Sequence, residues 1–324
     1  MSCSFEITSD LPVVVGEQII GSVVCHFFKP VKVKAIQVQF HGDEKTETIG
    51  DTRELNTGSN TLVDVMNMII ESETEVPSGI TKHGFSFKVP FKLPSSFKHY
   101  NGEIKYWLKA SVKRNLRVDL TVTKVIDVVA YVDLNTYLPA LQIWAEYSID
   151  RVVSNCCGLS RGRIMLNAVI DKRLFLKGET IKLDLQIINL SGVKVTKVFS
   201  RIMKTVSIFF TYPYPKEEIF RNFLTKSHNF PGVKGYDETS YPLLIDVPRD
   251  ILIPNFRYSK LFKITHQLQV IAKISGCNTA MVMQFKIYLG DIPFSTTNAP
   301  TNSRIKKGPY IREPSTSSTF SVQQ

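Results

Sequence analysis

The sequence predicts an all-β protein, built as two tandem antiparallel β-sandwiches of immunoglobulin-like type followed by a disordered tail. Three observations carry this expectation. Hydrophobic residues recur with period two in many short segments, and helical periodicity is scarce, with Asn60–Ser72 the most ambiguous stretch. A five-residue turn motif recurs 162 positions later in a chain of 324 residues. From about Ile292 the character changes, and residues 293–324 hold eleven Ser/Thr and four Pro with few apolar side chains.

Each element follows from its pattern. Ile36, Val38 and Phe40 form one alternating face, and Ile104, Tyr106, Leu108, Ala110 and Val112 a second, with a mostly basic outer side. Ile164, Leu166, Ala168 and Ile170 form a third, and Ile181, Leu183, Leu185 and Ile187 a fourth. Side chains two apart on a strand share a face, so each run reads as half-buried. The repeat is Val15-Gly16-Glu17-Gln18-Ile19 and then Lys177-Gly178-Glu179-Thr180-Ile181, each followed by such a strand. A second pair of landmarks, Leu93-Pro94 and Ile253-Pro254, is displaced by 160 residues, each preceding an alternating run. Two landmarks in the same order and nearly the same displacement indicate a duplicated sandwich. The joint is expected near Asp133–Gln142, where Asn135 and Pro139 interrupt the strands. The expected layout is therefore 1–133 for the first sandwich, 134–150 for a hinge, 151–292 for the second sandwich and 293–324 for the tail.

Charge separates the halves. Residues 1–150 hold 15 Lys/Arg and 18 Asp/Glu, a net of −3, whereas residues 151–324 hold 25 and 11, a net of +14. A basic half implies an anionic partner such as a phosphorylated protein or an anionic lipid surface, set against the simpler reading of solvated strand faces. The residues named for that contact are Arg161, Arg163, Lys172, Arg173 and Lys177. No basic or apolar leader opens the chain, and apolar runs such as Val125–Val132 are short and carry Asp127, which points to a cytoplasmic protein. Five scattered cysteines, Cys3, Cys25, Cys156, Cys157 and Cys277, fit small buried thiols better than a disulfide framework.

Catalytic and cofactor chemistry finds little support. Gly158-Leu159-Ser160-Arg161-Gly162 matches the G-x-S-x-G nucleophile elbow, which would make Ser160 a hydrolase nucleophile. The elbow needs a helix after the serine, and Arg163 to Asp171 alternates as a strand instead. The six histidines lack metal-ligand spacing, adjacent Cys156 and Cys157 cannot easily face one ion, and no phosphate-binding glycine loop occurs. No cofactor or metal is expected. Nucleic acid is disfavoured, because Trp107 and Phe175 sit where sandwich packing can use them and no stacking motif appears. Tyr212-Pro213-Tyr214-Pro215 and Gly308-Pro309-Tyr310 both lack the Pro-Pro-x-Tyr ridge that WW domains grip.

Local sequences then carry a resemblance. Val15-Gly16-Glu17-Gln18-Ile19-Ile20-Gly21 resembles the early strand signature of the arrestin amino-terminal domain. Phe85-Ser86-Phe87, Leu93-Pro94-Ser95-Ser96-Phe97 and Gly102-Glu103-Ile104-Lys105-Tyr106 are similar to the core motif of α-arrestins, the arrestin domain-containing proteins. Gly178-Glu179-Thr180-Ile181, Ile188-Asn189-Leu190-Ser191 and Tyr288-Leu289-Gly290-Asp291-Ile292-Pro293 agree in the second half.

The resemblance covers residues 5–294 and implies two arrestin-type sandwiches without an active site. It implies a cytosolic adaptor, associated peripherally with the plasma membrane or endosomes. Such an adaptor binds the cytoplasmic tails of membrane proteins and directs their endocytosis, ubiquitination or endosomal sorting. An alternative is a structural scaffold of a sorting coat, like the arrestin-fold subunit of retromer. The family's Pro-Pro-x-Tyr motifs are absent, so any ubiquitin ligase is expected to be recruited indirectly. No Cys lies in Thr225–Tyr241, where a thioredoxin-binding relative has its reactive one, and Ser2–Asp10 has no Lys or Arg to sense receptor phosphates.

Overall fold

The computed structural model describes residues 2–50, 53–115, 117–154, 161–225 and 228–295. The first sandwich comprises β1 (Ser2–Ile7), β2 (Val13–Val14), β3 (Gln18–Phe27), β4 (Val31–Ile49), β5 (Leu55–Ile70), β6 (Thr74–Val76), β7 (Gly79–Lys88), β8 (Phe97–His99), β9 (Gly102–Arg114), β10 (Leu120–Ile126) and β11 (Val128–Val129). Its sheets run β1-β3-β7 and β10-β9-β4-β5, with β6 and β8 on the margins and a short parallel β2-β11 pair. The second comprises β12 (Ala145–Ser154), β13 (Arg161–Ile170), β14 (Leu174–Leu176), β15 (Thr180–Leu190), β16 (Val195–Phe210), β17 (Lys216–Phe223), β18 (His228–Phe230), β19 (Asp237–Asp246), β20 (Phe262–Ile274) and β21 (Met281–Gly290). Its sheets run β12-β13-β15-β19 and β14-β21-β20-β16-β17. Two 3-10 turns, Leu134–Thr136 and Pro139–Gln142, lie between the sandwiches. Among the described residues there is no α-helix, and no helix is long and apolar enough to cross a membrane.

All four alternating faces read from the sequence are buried, on β4, β9, β13 and β15. Asn60–Ser72, ambiguous in sequence, lies largely within β5. That strand ends its sheet, keeps Val65, Met66 and Met68 exposed, and meets β4 through two register shifts, so its apolar residues follow no clean alternation. Strand β12 starts at Ala145, within the segment expected as hinge, because Tyr147 and Ile149 pack on the second core.

The internal repeat is a repeated turn. Gly16 and Gly178 take φ of +90° and +80°, a region open to glycine. The carboxylates of Glu17 and Glu179 accept from the amides of Val14 at 3.0 Å and Leu176 at 2.9 Å. Gly16 N–H donates to the Val89 carbonyl and Gly178 N–H to that of Val247, while Val89 and Val247 donate back to Glu17 and Glu179. The two proline landmarks meet each other. Ser95 N–H donates to the Asn255 carbonyl at 3.0 Å, and Asn255 N–H donates to Ser95 Oγ at 3.2 Å.

The sandwiches also share a core. Val206, Ile208 and Phe210 of β16, with Phe256, Leu261 and Phe262, pack into the first sandwich's hydrophobic cluster. At this seam Glu44 is 0 % exposed. Its carboxylate accepts from Asn60 Nδ2 at 2.8 Å, Lys260 N–H at 2.8 Å, Leu261 N–H at 3.3 Å and the Ser259 hydroxyl. Thr46 Oγ1 donates to the Phe209 carbonyl at 2.8 Å, and Asn101 Nδ2 to Glu218 at 2.7 Å. A buried carboxylate answered by four donors is a satisfied anchor rather than a stray charge.

Candidate functional site

The large sheet of the second sandwich turns one side inward. Ile202, Leu268, Val270, Met283, Phe285 and their neighbours pack in its core. Side chains alternate across a strand, so the opposite side carries residues of the other parity. There β16 places Lys197 and Arg201, β17 Arg221, β20 Lys263 and Lys273, and β21 Lys286. Pairing brings them together from remote positions: Lys197 lies opposite Lys273, Thr205 opposite both Thr265 and Arg221, and Gln267 opposite Lys286. At a strand spacing of about 4.8 Å and a rise of about 3.3 Å per residue, the face measures roughly 15 by 33 Å. Glu217 is the one acidic residue of that parity on these four strands, and none of the six cations joins an ion pair among the described residues.

Aromatic and amide side chains organise the centre of the face. Arg201 Cζ lies 3.8 Å from the Phe223 ring centroid and 5.8 Å from that of Phe199, with Lys273 Nζ 5.9 Å from Phe199. Arg201 Nε donates to Gln269 Oε1 at 3.0 Å, which fixes the plane of the guanidinium. Burial draws the pKa of Arg201 below its ordinary value. An arginine fixed on an aromatic ring presents its remaining donors as a rigid fork, suited to a carboxylate or phosphate.

Lys263 and Lys286 also border a cleft of about 660 Å³ at the junction of the sandwiches, which Tyr131, Tyr137, Arg257 and Tyr258 line as well. The Tyr137 and Tyr288 rings stand 4.7 Å apart, and burial followed by Tyr288 pushes the Tyr137 hydroxyl pKa up. His266, also in the cleft wall, is 5 % exposed; burial and then Lys204 lower its pKa to about 4, so it is neutral at pH 7.

The residues singled out in the sequence lie elsewhere and in two groups. Arg161 and Arg163 begin β13, whereas Lys172 and Arg173 follow its far end, about 30 Å away at strand rise. Lys177 joins the second group in the next turn. Three of the five charges are matched: Arg163 with Asp150 at 3.3 Å, Lys177 with Asp291 at 2.5 Å, and Lys172 with Glu179. Among the described residues Arg173 Nε is buried without a hydrogen-bond partner, and its main chain bridges Leu141 and Tyr288. Arg161 makes no ion pair among the described residues. The six-cation face was missed because its members come from four strands; strand parity combined with register is the signal that finds it.

Ser160, Cys156 and Cys157 lie outside the described residues, as do Arg304–Lys307 and Gly308-Pro309-Tyr310 of the tail. The segment after the G-x-S-x-G match is strand β13, which lacks the helix a nucleophile elbow opens. A Cβ at Gly162 would stand 2.4 Å from the Ser191 Cβ, so tight strand packing accounts for that glycine. Among the described residues no three His, Cys, Asp or Glu side chains cluster as a metal site. Phe175 is buried in the second core, whereas Trp107 faces outward against His41, ring centroids 4.6 Å apart. Of the cysteines, Cys25 is buried, Cys3 half-buried and Cys277 exposed.

Comparison with known proteins meets this architecture half for half. Residues 3–135 match the family model for the arrestin (or S-antigen) N-terminal domain, and residues 160–294 match that for the C-terminal domain. The chain belongs to the arrestin family, as an α-arrestin. It is 24 % identical over 302 residues to human arrestin domain-containing protein 4, covering 86 % of this chain and 68 % of that one. It is 27 % identical over 205 residues to arrestin domain-containing protein 17 of Caenorhabditis elegans, covering 59 % and 48 %. Human thioredoxin-interacting protein is 28 % identical over 195 residues, covering 56 % and 48 %. This α-arrestin thus spans about half the length of two of these relatives and about two thirds of the third. Membership accords with the family's general character as non-enzymatic adaptors.

Proposed function

We propose that this α-arrestin is a non-enzymatic adaptor that grips acidic or phosphorylated cytoplasmic tails of membrane-protein cargo and directs their endocytosis, ubiquitination or sorting. The observation that carries the reading is the face of six cations on the second sandwich, none of them in an ion pair among the described residues, ordered around Arg201. Structural ion pairs consume most of the charge at Arg163, Lys172 and Lys177, and with Arg161 these residues lie in two groups outside the face that the tail occupies. Arg173 lies with Lys172 and Lys177 in the second of these groups. The protein works in the cytoplasm, at the inner face of the plasma membrane or endosomes, and reaches ubiquitin ligases through other adaptors.

The test is fluorescence anisotropy of an acidic phosphopeptide with the full chain, with anionic and neutral vesicles measured in parallel. Neutralising Lys263, Lys273 and Lys286 together to Gln removes three exposed pairings of about 0.2–1 kcal/mol each, so the peptide affinity falls by about threefold to a hundredfold. Salt weakens the wild-type binding and affects the variant less. Unchanged peptide affinity in the triple variant refutes the face. Binding to anionic vesicles alone replaces the cargo tail with a lipid surface, and co-purification with coat components but no tail favours the scaffold.

A further inference from the structure

We propose that Cys3 and Cys25 form a dithiol modification site that closes to a cross-strand disulfide and staples strand β1 to β3. The two residues lie directly opposite in the antiparallel register, with Sγ atoms 3.1 Å apart in a thiol hydrogen bond. The ladder's parity places them well. Thr8 N–H donates to the Ile20 carbonyl at 2.9 Å, and Cys3 and Cys25 are an odd number of steps along the same register. They therefore occupy a non-hydrogen-bonded pair, where opposed Cα atoms approach to about 4.5 Å. That separation lies within the range a disulfide spans.

Exposure sets the order of events. Cys25 is buried in the first core, and Cys3 is half-buried, so a reagent meets Cys3 first. Its thiol is held below the ordinary value by the hydrogen bond from Cys25 and by the charge of Arg114, which raises its thiolate fraction. The oxidant is a low-molecular-weight disulfide. The Cys3 thiolate attacks one of its sulfurs, the S–S bond breaks, and one thiolate leaves. Cys25 then attacks the Cys3 sulfur of the mixed disulfide, expelling the second thiolate. Both cysteine protons end on the two released thiols, so one small disulfide is reduced as one protein disulfide forms.

The bond has a structural consequence. Strand β1 ends the sheet β1-β3-β7 and is held there by its ladder, by Cys3, Phe5 and Ile7 packing on the first core, and by a Glu6–Lys82 ion pair of 2.7 Å. The staple turns an edge strand able to peel away into one covalently closed on its neighbour.

The experiment treats the reduced full chain with glutathione disulfide, followed by non-reducing peptide mapping and hydrogen exchange. The expected result is a Cys3–Cys25 peptide pair two hydrogens lighter than its reduced parts, reversed by a reductant. Amide exchange in β1 slows at least about tenfold on oxidation. Cys3→Ser abolishes both effects, and Cys25→Ser leaves glutathione on Cys3. The proposal is overturned when glutathione persists on Cys3 of the wild type, when Cys3 links to Cys156, Cys157 or Cys277, or when Cys3 does not react.

Discussion

Replacing Glu44 by alanine removes the carboxylate around which the loop Ser259–Leu261 of the second sandwich closes on the first. The structure sets the cost. Two main-chain donors, Lys260 N–H at 2.8 Å and Leu261 N–H at 3.3 Å, lose their acceptor within a packed seam, and Ser259 and Asn60 lose theirs. A buried donor left unsatisfied costs about 1–3 kcal/mol. The hydroxyl and the amide can turn to other partners, so the main-chain pair dominates and the loss is about 3 kcal/mol. At about 2–4 °C per kcal/mol, the melting temperature falls by roughly 6–12 °C. Glu44→Gln keeps one carbonyl acceptor but aims an amide at the donors, and it falls between wild type and alanine. Calorimetry gives the melting temperatures, and limited proteolysis at 251–261 shows loosening of the seam before global unfolding. Alanine and glutamine variants both within 1 °C of wild type, with the loop equally resistant, refute the anchoring role.

Other outcomes follow from the same geometry. The imidazole of His266, lowered to about 4 by burial and Lys204, is neutral in the folded chain, so unfolding takes up a proton as the pH falls below about 6.5. Stability therefore declines between pH 6.5 and 4, by about 3 kcal/mol in total, and His266→Gln flattens this limb in urea titrations across that range. Gly178→Ala places a Cβ at φ +80° and near the flexible Arg249 side chain, and costs about 1–2 kcal/mol of unfolding free energy in denaturant titrations. Gly16→Ala costs more, since the added carbon meets the Phe91 ring at 2.1 Å. Arg201→Lys keeps the charge but loses the Phe223 stacking and the Gln269 bond, weakening phosphopeptide binding about three- to fivefold with little change in melting temperature.

Period-two alternation made the sandwich cores legible because burial on one side of a strand is written directly into residue parity. Ile104 to Val112 and Ile164 to Ile170 are examples, each buried as the pattern implies. Edge strand β5 hid from that reading, since exposed Met66 and Met68 and the shifts opposite Gly42 and Ile36 break its pattern. The candidate face was illegible for another reason. Charge along a chain reports sequence neighbours, and it selected Arg161 to Lys177, whereas Lys197 and Lys273 become neighbours only through the pairing of β16 with β20. Glu44 shows the same limit. It lies in an acid-rich run, and three of its four donors, Ser259, Lys260 and Leu261, come from the other sandwich.

Lysine acylation footprinting of the full chain, with and without saturating phosphopeptide, tests the central claim most directly. Protection of Lys197, Lys263, Lys273 and Lys286, with Lys172 and Lys177 unchanged, is the predicted result. Protection confined to Lys172 and Lys177, with the sheet face still reactive, contradicts it.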